Sequence, residues 1–167
     1  MSYSASGSTG TPVKNPQAEF DDFERGLLPV MRHFILSFAE PETLAWQQAY
    51  SIAIERWGQD QGLNLAHLVF KIVKATLHCR PEGLAFNDPL CVDYRLEVTC
   101  DERALLKMVH HMRRDETPAA RDAVGQITGG YPDAHLIQAG LTLANRFPTG
   151  SAPRNQPPRR PVLRVIK

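Results

Sequence analysis

The side chains of this sequence that could do chemistry include a basic group inside a predicted helix. Lys107, His111 and Arg114 are spaced four and three residues apart, and Arg121 follows shortly afterwards. Such spacings place side chains on one face of an α-helix, where they could bind phosphate groups. The simpler interpretation is an ordinary solvent-exposed polar face, which every amphipathic helix on a protein surface requires. We favour the simpler interpretation and keep phosphate or nucleic-acid binding as the alternative.

A second basic group lies near the end of the chain. Residues 149–167 carry five basic residues and no acidic residue, whereas residues 18–148 carry 13 basic and 18 acidic residues. The tail and the body therefore have opposite charges, and attraction to an acidic partner should come from the tail. Within it, Arg159, Arg160 and Arg164 are the candidate contacts, and Pro157, Pro158 and Pro161 beside them favour an extended conformation. A solubilising terminus, or a tail that folds back on the acidic body, are the alternatives.

Metal binding is not expected from the spacing of the potential ligands. Cys79, Cys91 and Cys100 are an odd number of cysteines without the spacing of zinc knuckles, so we interpret them as free thiols, and we expect Cys91 and Cys100 to act as small buried hydrophobic residues. His110 and His111 are sequence neighbours, whose side chains should point about 100° apart on a helix. We therefore predict no metal site.

Signatures of catalysis and of cofactor binding are also lacking. No serine lies in a glycine-flanked nucleophile elbow, and neither a Walker lysine nor a dinucleotide-binding glycine pattern is present. We therefore predict no catalytic residue and no cofactor. An uncommon enzyme site built from His78, Cys79 and His110 is a third possibility, which thiol reactivity would test.

The elements that must position these residues are mostly helices. Apolar residues recur at three- and four-residue spacings, which indicates amphipathic helices. Six segments show the pattern: 20–38, 41–57, 64–77, 99–114, 117–128 and 132–147. We expect Pro29 to kink or break the first segment, and Gly140 to mark a close helix crossing in the last. Thr99 and Glu102 form a capping-box pattern at the start of the fourth.

The segment between the third and fourth helices has a different pattern. Over residues 90–98, apolar side chains alternate strictly with polar ones, which is typical of a half-buried strand. The alternative is a helix opened by Asp88 and Pro89, because Asp followed by Pro is also a helix start signal. We favour the strand, with a partner strand near residues 83–86 or 162–166.

Together these patterns predict a mainly α protein with a single compact domain of about six helices and one small β element. The domain spans residues 18–148, between a disordered arm at 1–17 and a basic, proline-rich tail at 149–167. The start of the chain lacks the pattern of a secretory signal, and no run is apolar enough to span a membrane, so we expect a cytoplasmic protein.

We expect this protein to be non-enzymatic. The leading hypothesis is a small subunit or adaptor of a larger assembly, which contacts another protein through Trp46 and the tail arginines. Trp46 is singled out because it is offset from the apolar side of its predicted helix. The alternative is a nucleic-acid-binding accessory factor that uses Lys107, His111, Arg114 and Arg121. The oligomeric state does not follow from the sequence.

Overall fold

The structure is a computed structural model that describes residues 19–150. The predicted arm at 1–17 lies outside the described residues, and so do Arg159, Arg160 and Arg164 of the predicted tail. Six α-helices follow one another in the described part of the chain. They are α1 (Asp22–Ala39), α2 (Ala45–Trp57), α3 (Gln59–Cys79), α4 (Cys100–Arg113), α5 (Thr117–Thr128) and α6 (Ala134–Arg146). The mainly α fold predicted from the sequence is confirmed.

The helices enclose a single apolar core. Helix α1 packs on α2, α3 and α4; α3 also packs on α2 and α6, and α4 also packs on α5 and α6. The most deeply buried large side chains come from every helix except α2, and include Leu27, Phe34, Ile72, Met108, Ile127 and Leu136. Their periodic spacing explains why these segments are helical, because each helix gains stability by burying one apolar side. Among residues 19–150, no helix is both long and apolar enough to cross a membrane.

The expected break at Pro29 does not occur, because α1 runs without interruption from Asp22 to Ala39. Leu28 and Val30, on either side of the proline, are both buried in the core. Packing of both halves of the helix therefore outweighs the backbone hydrogen bond that Pro29 cannot donate.

Two helix starts differ from the prediction. Pro41 begins a short 3-10 turn, and α2 starts only at Ala45, after Leu44 has adopted a left-handed conformation with φ of 52°. Helix α3 starts directly after Gly58, so that Asn64 lies inside it and donates its side-chain N–H to the carbonyl oxygen of Asp60. Gly58 has φ of 80° and alone separates α2 from α3, because glycine accepts this conformation without strain.

The close crossing predicted at Gly140 is present. A Cβ atom at Gly140 would lie 2.5 Å from Sδ of Met112, so α6 and α4 approach closely there. The capping box of α4 is also as predicted, since Thr99 Oγ1 accepts the backbone N–H of Glu102 and the Glu102 carboxylate accepts the backbone N–H of Thr99.

The strand predicted over 90–98 is wrong, and so is the alternative helix. The segment forms successive turns, closed by backbone hydrogen bonds such as Arg95 N–H to the Val92 carbonyl and Glu97 N–H to the Tyr94 carbonyl. No strand occurs anywhere in residues 19–150. Without a partner strand, an extended segment would leave its backbone groups unpaired, and the turns satisfy some of them locally.

Candidate functional site

The most unusual surface of the described domain is the segment 87–98, which we call the apolar loop. Four of its large apolar side chains are exposed to solvent, with exposed fractions of 70% for Leu90, 75% for Val92, 50% for Tyr94 and 67% for Leu96. Scattered exposed apolar residues are normal on a protein surface, but four within residues 90–96 are a concentration that is typical of an interaction site.

The backbone of the apolar loop is held in place by one buried guanidinium group. Arg32 of α1 is almost fully buried, and its Nη1 donates to the carbonyl oxygen of Arg95 at 3.2 Å. Its Nη2 donates to the carbonyl oxygen of Glu97. Because these bonds go to backbone groups, they fix the path of the loop whatever side chains it displays.

A buried carboxylate completes this attachment. Glu102 pairs with Arg32 through two hydrogen bonds of 2.7 and 3.0 Å, and its Oε1 also accepts the backbone N–H of Asn87. The Asn87 side chain in turn donates to the Glu97 carbonyl, and Thr99 donates to the Ala85 carbonyl. The N-terminus of α4 therefore fixes both ends of the apolar loop.

The charge of the apolar loop is negative. It carries the acidic residues Asp88, Asp93 and Glu97 and the basic residue Arg95, which gives a formal charge of −2. Asp88 also accepts the backbone N–H of Leu90 at 2.8 Å, which shapes the start of the loop. The apolar side chains therefore stand among exposed carboxylates.

Trp46, predicted as a partner contact, lies in the first turn of α2 and is 45% exposed. Its ring packs edge-on against Tyr50, with the ring centroids 6.3 Å apart. Phe38 and Leu44 on the neighbouring corner are 42% and 50% exposed. Trp46 is therefore available to a partner, as its offset position in the sequence indicates.

The basic face predicted on α4 is neither fully solvated nor free of acidic partners. Lys107 pairs with Glu19 at 3.3 Å, and Arg114 pairs with Glu24 at 2.6 Å and with Asp21 at 3.1 Å. The cations of this face therefore meet carboxylates from the start of α1 and the residues before it. This pairing reduces the positive potential that a nucleic acid would encounter there.

Behind that face lies a buried ionic cluster that the sequence analysis missed. Glu24 is fully buried and binds the guanidinium of Arg113, also buried, at 2.7 Å. Arg113 stacks on the ring of Phe23 at 4.1 Å and donates to the carbonyl oxygen of Phe147. The only sequence signal was the capping-box pattern of Asp21 and Glu24 at the start of α1, which the structure confirms as a cap.

The pKa of Glu24 reflects two opposing effects. Burial on its own raises the pKa of this carboxyl, but hydrogen bonds from Arg114, His110 and the backbone of Asp21 outweigh it, and the pKa lies below its ordinary value of 4.5. The same balance holds for Asp21, where burial is outweighed by the backbone of Glu24 and by Arg113. Both carboxyls are therefore stabilised in their charged form.

His111 lies near the C-terminal end of α4 and pairs with Glu116. Nδ1 of His111 and Oε2 of Glu116 are 2.6 Å apart, and this hydrogen bond lowers the pKa of the Glu116 carboxyl. Both residues line a cavity of about 650 Å³ between α4, α5 and α6, together with Arg121 and apolar side chains such as Val124 and Leu141. Arg121 is exposed and pairs with no carboxylate within residues 19–150.

The residues of the third possibility, the thiol enzyme, lie in different surroundings. His78 lines a groove between α3 and α6, whereas Nδ1 of His110 bonds the carboxylate of Glu24 at 2.9 Å. Burial and the neighbouring Asp133 raise the pKa of the Cys79 thiol, which is the opposite of what a reactive thiolate requires. The expected burial of two thiols is wrong, since Cys91 is partly exposed and Cys100, the first residue of α4, is exposed.

One small helical domain therefore carries an apolar loop, a basic face whose cations are paired with carboxylates, and a cavity. No protein-family model, no curated protein and no solved structure matches this chain.

Proposed function

We propose that this chain is a non-enzymatic interaction protein, a small subunit or adaptor of a larger assembly, and that the apolar loop is the surface that docks on its partner. The single observation that carries the proposal is the display of four exposed apolar side chains on a backbone fixed by buried Arg32. An exposed apolar group costs solubility, so its presence on an otherwise well-packed domain is best explained by a partner that covers it.

The fixed backbone supports this proposal on energetic grounds. Binding through a flexible segment must first order that segment, and the ordering reduces the affinity. Hydrogen bonds from Arg32 and Asn87 to the loop carbonyls order the loop backbone when the protein folds. Less conformational entropy is therefore lost when a partner binds. Tyr94 adds an aromatic ring of the kind that is enriched at energetically important interface positions.

The chemistry of the loop defines the partner that fits it. Three carboxylates and one guanidinium surround the apolar side chains. A complementary surface is therefore apolar at its centre and basic at its edge, because a charged rim of opposite sign speeds association and excludes wrong partners. We propose a protein surface of this kind as the partner.

Site-specific crosslinking in the source cells tests the proposal. A photoreactive phenylalanine analogue at Val92 should yield one discrete crosslinked protein, whereas the same analogue at exposed Gln126 on α5 should not. The double variant Leu90→Ser/Leu96→Ser should reduce the yield about tenfold or more, because each leucine contributes over about 1 kcal/mol on burial.

The matched control is Leu63→Ser/Leu141→Ser, which removes two exposed leucines, 42% and 45% exposed, from helices α3 and α6. It should leave the crosslink intact. Equal losses in both double variants would contradict docking through the apolar loop. A crosslink to a second copy of the same chain would mean self-association and would also contradict the adaptor proposal.

The nucleic-acid alternative makes a different prediction. It requires Lys107, His111, Arg114, Arg121 and the tail arginines to bind phosphates, so affinity for duplex and single-stranded DNA should fall steeply with salt. The ion pairs of Lys107 and Arg114 argue against this role for the helix face. On the docking proposal, charge reversal of exposed Arg121, which is unpaired within residues 19–150, should change DNA affinity little at low ionic strength, whereas a large loss of affinity would support the alternative.

A further inference from the structure

Three potential metal ligands converge beside the C-terminal end of α4. His110, His111 and Glu116 each offer one ring nitrogen or carboxylate oxygen, and these three atoms lie within 4.8 Å of one another. Two imidazoles and one carboxylate are a ligand set that catalytic zinc sites use, with the remaining position left open. We propose that these three residues bind a divalent transition-metal ion such as Zn²⁺.

The sequence argument against a metal site does not apply to this geometry. Adjacent histidines leave a helix about 100° apart, yet the ring centroids of His110 and His111 are only 5.0 Å apart. The third ligand comes from beyond the helix end. Asp115 adopts a left-handed conformation with φ of 58°, and the backbone N–H of Glu116 returns to the carbonyl of His111 at 2.9 Å. This turn brings the Glu116 carboxylate back over the two imidazoles.

The outer surroundings of the site match those of known metal centres. A histidine that binds a metal generally donates its other ring N–H to a carboxylate, which fixes its tautomer and its orientation. Nδ1 of His110 lies 2.9 Å from Oε2 of the fully buried Glu24, which leaves Nε2 to bind the ion. Glu24 is itself held by Arg113 and Arg114, so the position of this imidazole is set before any ion binds.

The other two ligands must adjust to the spacing that an ion requires. With metal–ligand bonds of about 2.0–2.2 Å, tetrahedral ligand atoms lie roughly 3.3 Å apart. His111 Nδ1 and Glu116 Oε2 are now 2.6 Å apart, and Glu116 is exposed and able to rotate. The ion would take the place of the proton between these two atoms: a neutral His111 ring would then carry its single proton on Nε2, and a doubly protonated ring would release one proton to solvent. His111 and Glu116 also line the 650 Å³ cavity, from which water or another ligand can complete the coordination.

Titration of the tag-free, full-length chain with Co²⁺ tests the site. Co²⁺ in a tetrahedral nitrogen and oxygen site gives intense visible d–d bands, and their lack of a near-ultraviolet sulfur band separates this site from the three free thiols. Wild-type protein should show these bands at one equivalent of metal, and Zn²⁺ should abolish them by competition. Glu116→Gln and His111→Ala should each weaken the affinity at least tenfold.

His135→Ala is the matched control, because His135 lies in the groove between α3 and α6 and should leave Co²⁺ binding unchanged. Glu116→Gln alters an exposed side chain and should fold normally, so its loss of metal binding cannot be attributed to unfolding. Wild-type protein without these bands would overturn the proposal, and so would bands that are equally strong in Glu116→Gln. The site lies outside the apolar loop, so neither result bears on the proposed docking function.

Discussion

Arg32 of α1 and Glu102 of α4 lie 70 residues apart in the chain and form a buried, two-pronged ion pair, with Nε to Oε1 at 2.7 Å and Nη2 to Oε2 at 3.0 Å. Their side chains are 3% and 1% exposed. The pair joins the first helix to the fourth, and the remaining hydrogen-bonding capacity of both groups is used by the backbone of the segment between the third and fourth helices.

Removal of one partner of this pair should strongly destabilise the domain. Glu102→Gln leaves the Arg32 charge buried without its counter-charge, and we expect a loss of about 3–5 kcal/mol in the free energy of unfolding. Urea denaturation followed by circular dichroism measures it. As control, Arg56→Met breaks an exposed pair with Asp22 and should cost under about 1 kcal/mol. Similar losses in the two variants would mean that burial of the pair contributes little.

The buried carboxyls at the start of α1 should make stability depend on pH in the acid range. The pKa of Glu24 is lowered in the folded protein, so the folded state binds fewer protons than the unfolded chain as the pH falls through this range. The stabilisation is present in full above about pH 4.5 and is lost as the pH falls through the folded pKa. Urea unfolding between pH 6 and pH 3 should show this decline, and Glu24→Gln should have lower stability with a flatter pH dependence. An equally steep decline in the variant would contradict the assignment.

Gly62 should be intolerant of a side chain. A Cβ atom there would lie 2.5 Å from the carbonyl oxygen of Ala53 and 2.7 Å from Cα of Ile54, and these backbone atoms of α2 cannot move independently. Gly62→Ala should therefore destabilise the domain by about 1–3 kcal/mol in thermal or urea unfolding. Gly125→Ala in α5 is the matched control, because no atom lies within 4 Å of its Cβ position. It should stabilise by about 0.5–1 kcal/mol.

Two of the free thiols, Cys79 and Cys100, should differ in reactivity. At pH 7.5, Cys100 is exposed and should react with a disulfide reagent faster than Cys79, whose pKa is raised by burial and by the Asp133 carboxylate. Asp133→Asn removes the negative charge and keeps a residue able to cap α6. This change should speed labelling of Cys79 alone, as peptide mass spectrometry of a time course will show. The Cys100 rate in the same molecules is the internal control.

The helical fold could be predicted because each helix carries its own information. The apolar spacing from Leu65 to Leu77, the capping box at Thr99 and the small residue at Gly140 are local signals, and the structure agrees with all three. The break expected at Pro29 is wrong because that prediction also used local information alone. The local effect of this proline is to disrupt a helix, but burial of the neighbouring residues, a tertiary effect, keeps α1 continuous.

The segment over 90–98 could not be predicted, because its conformation depends on a residue far away in sequence. Strict alternation indicates a strand only where a second strand is available to pair. Here Arg32, from more than 50 residues upstream, takes the carbonyl oxygens that a partner strand would have used. No pattern in the sequence indicates that this arginine of α1 would point inward.

The candidate sites were predicted less well than the fold. The exposure of Trp46 agrees with the prediction, and the tail arginines lie outside the described residues. Lys107 and Arg114 were placed on one face correctly, but their pairing with acidic residues from Glu19 to Glu24 depends on how α1 packs against α4. The convergence of His111 with Glu116 depends on a left-handed turn at Asp115, a conformation unusual for residues other than glycine.

The guanidinium of Arg32 is hydrogen-bonded both to α4 and to the apolar loop. Release of the loop and separation of α1 from α4 therefore break hydrogen bonds of the same side chain. A bound partner that immobilises the loop would therefore slow hydrogen exchange deep in the first and fourth helices, far from any atom it touches.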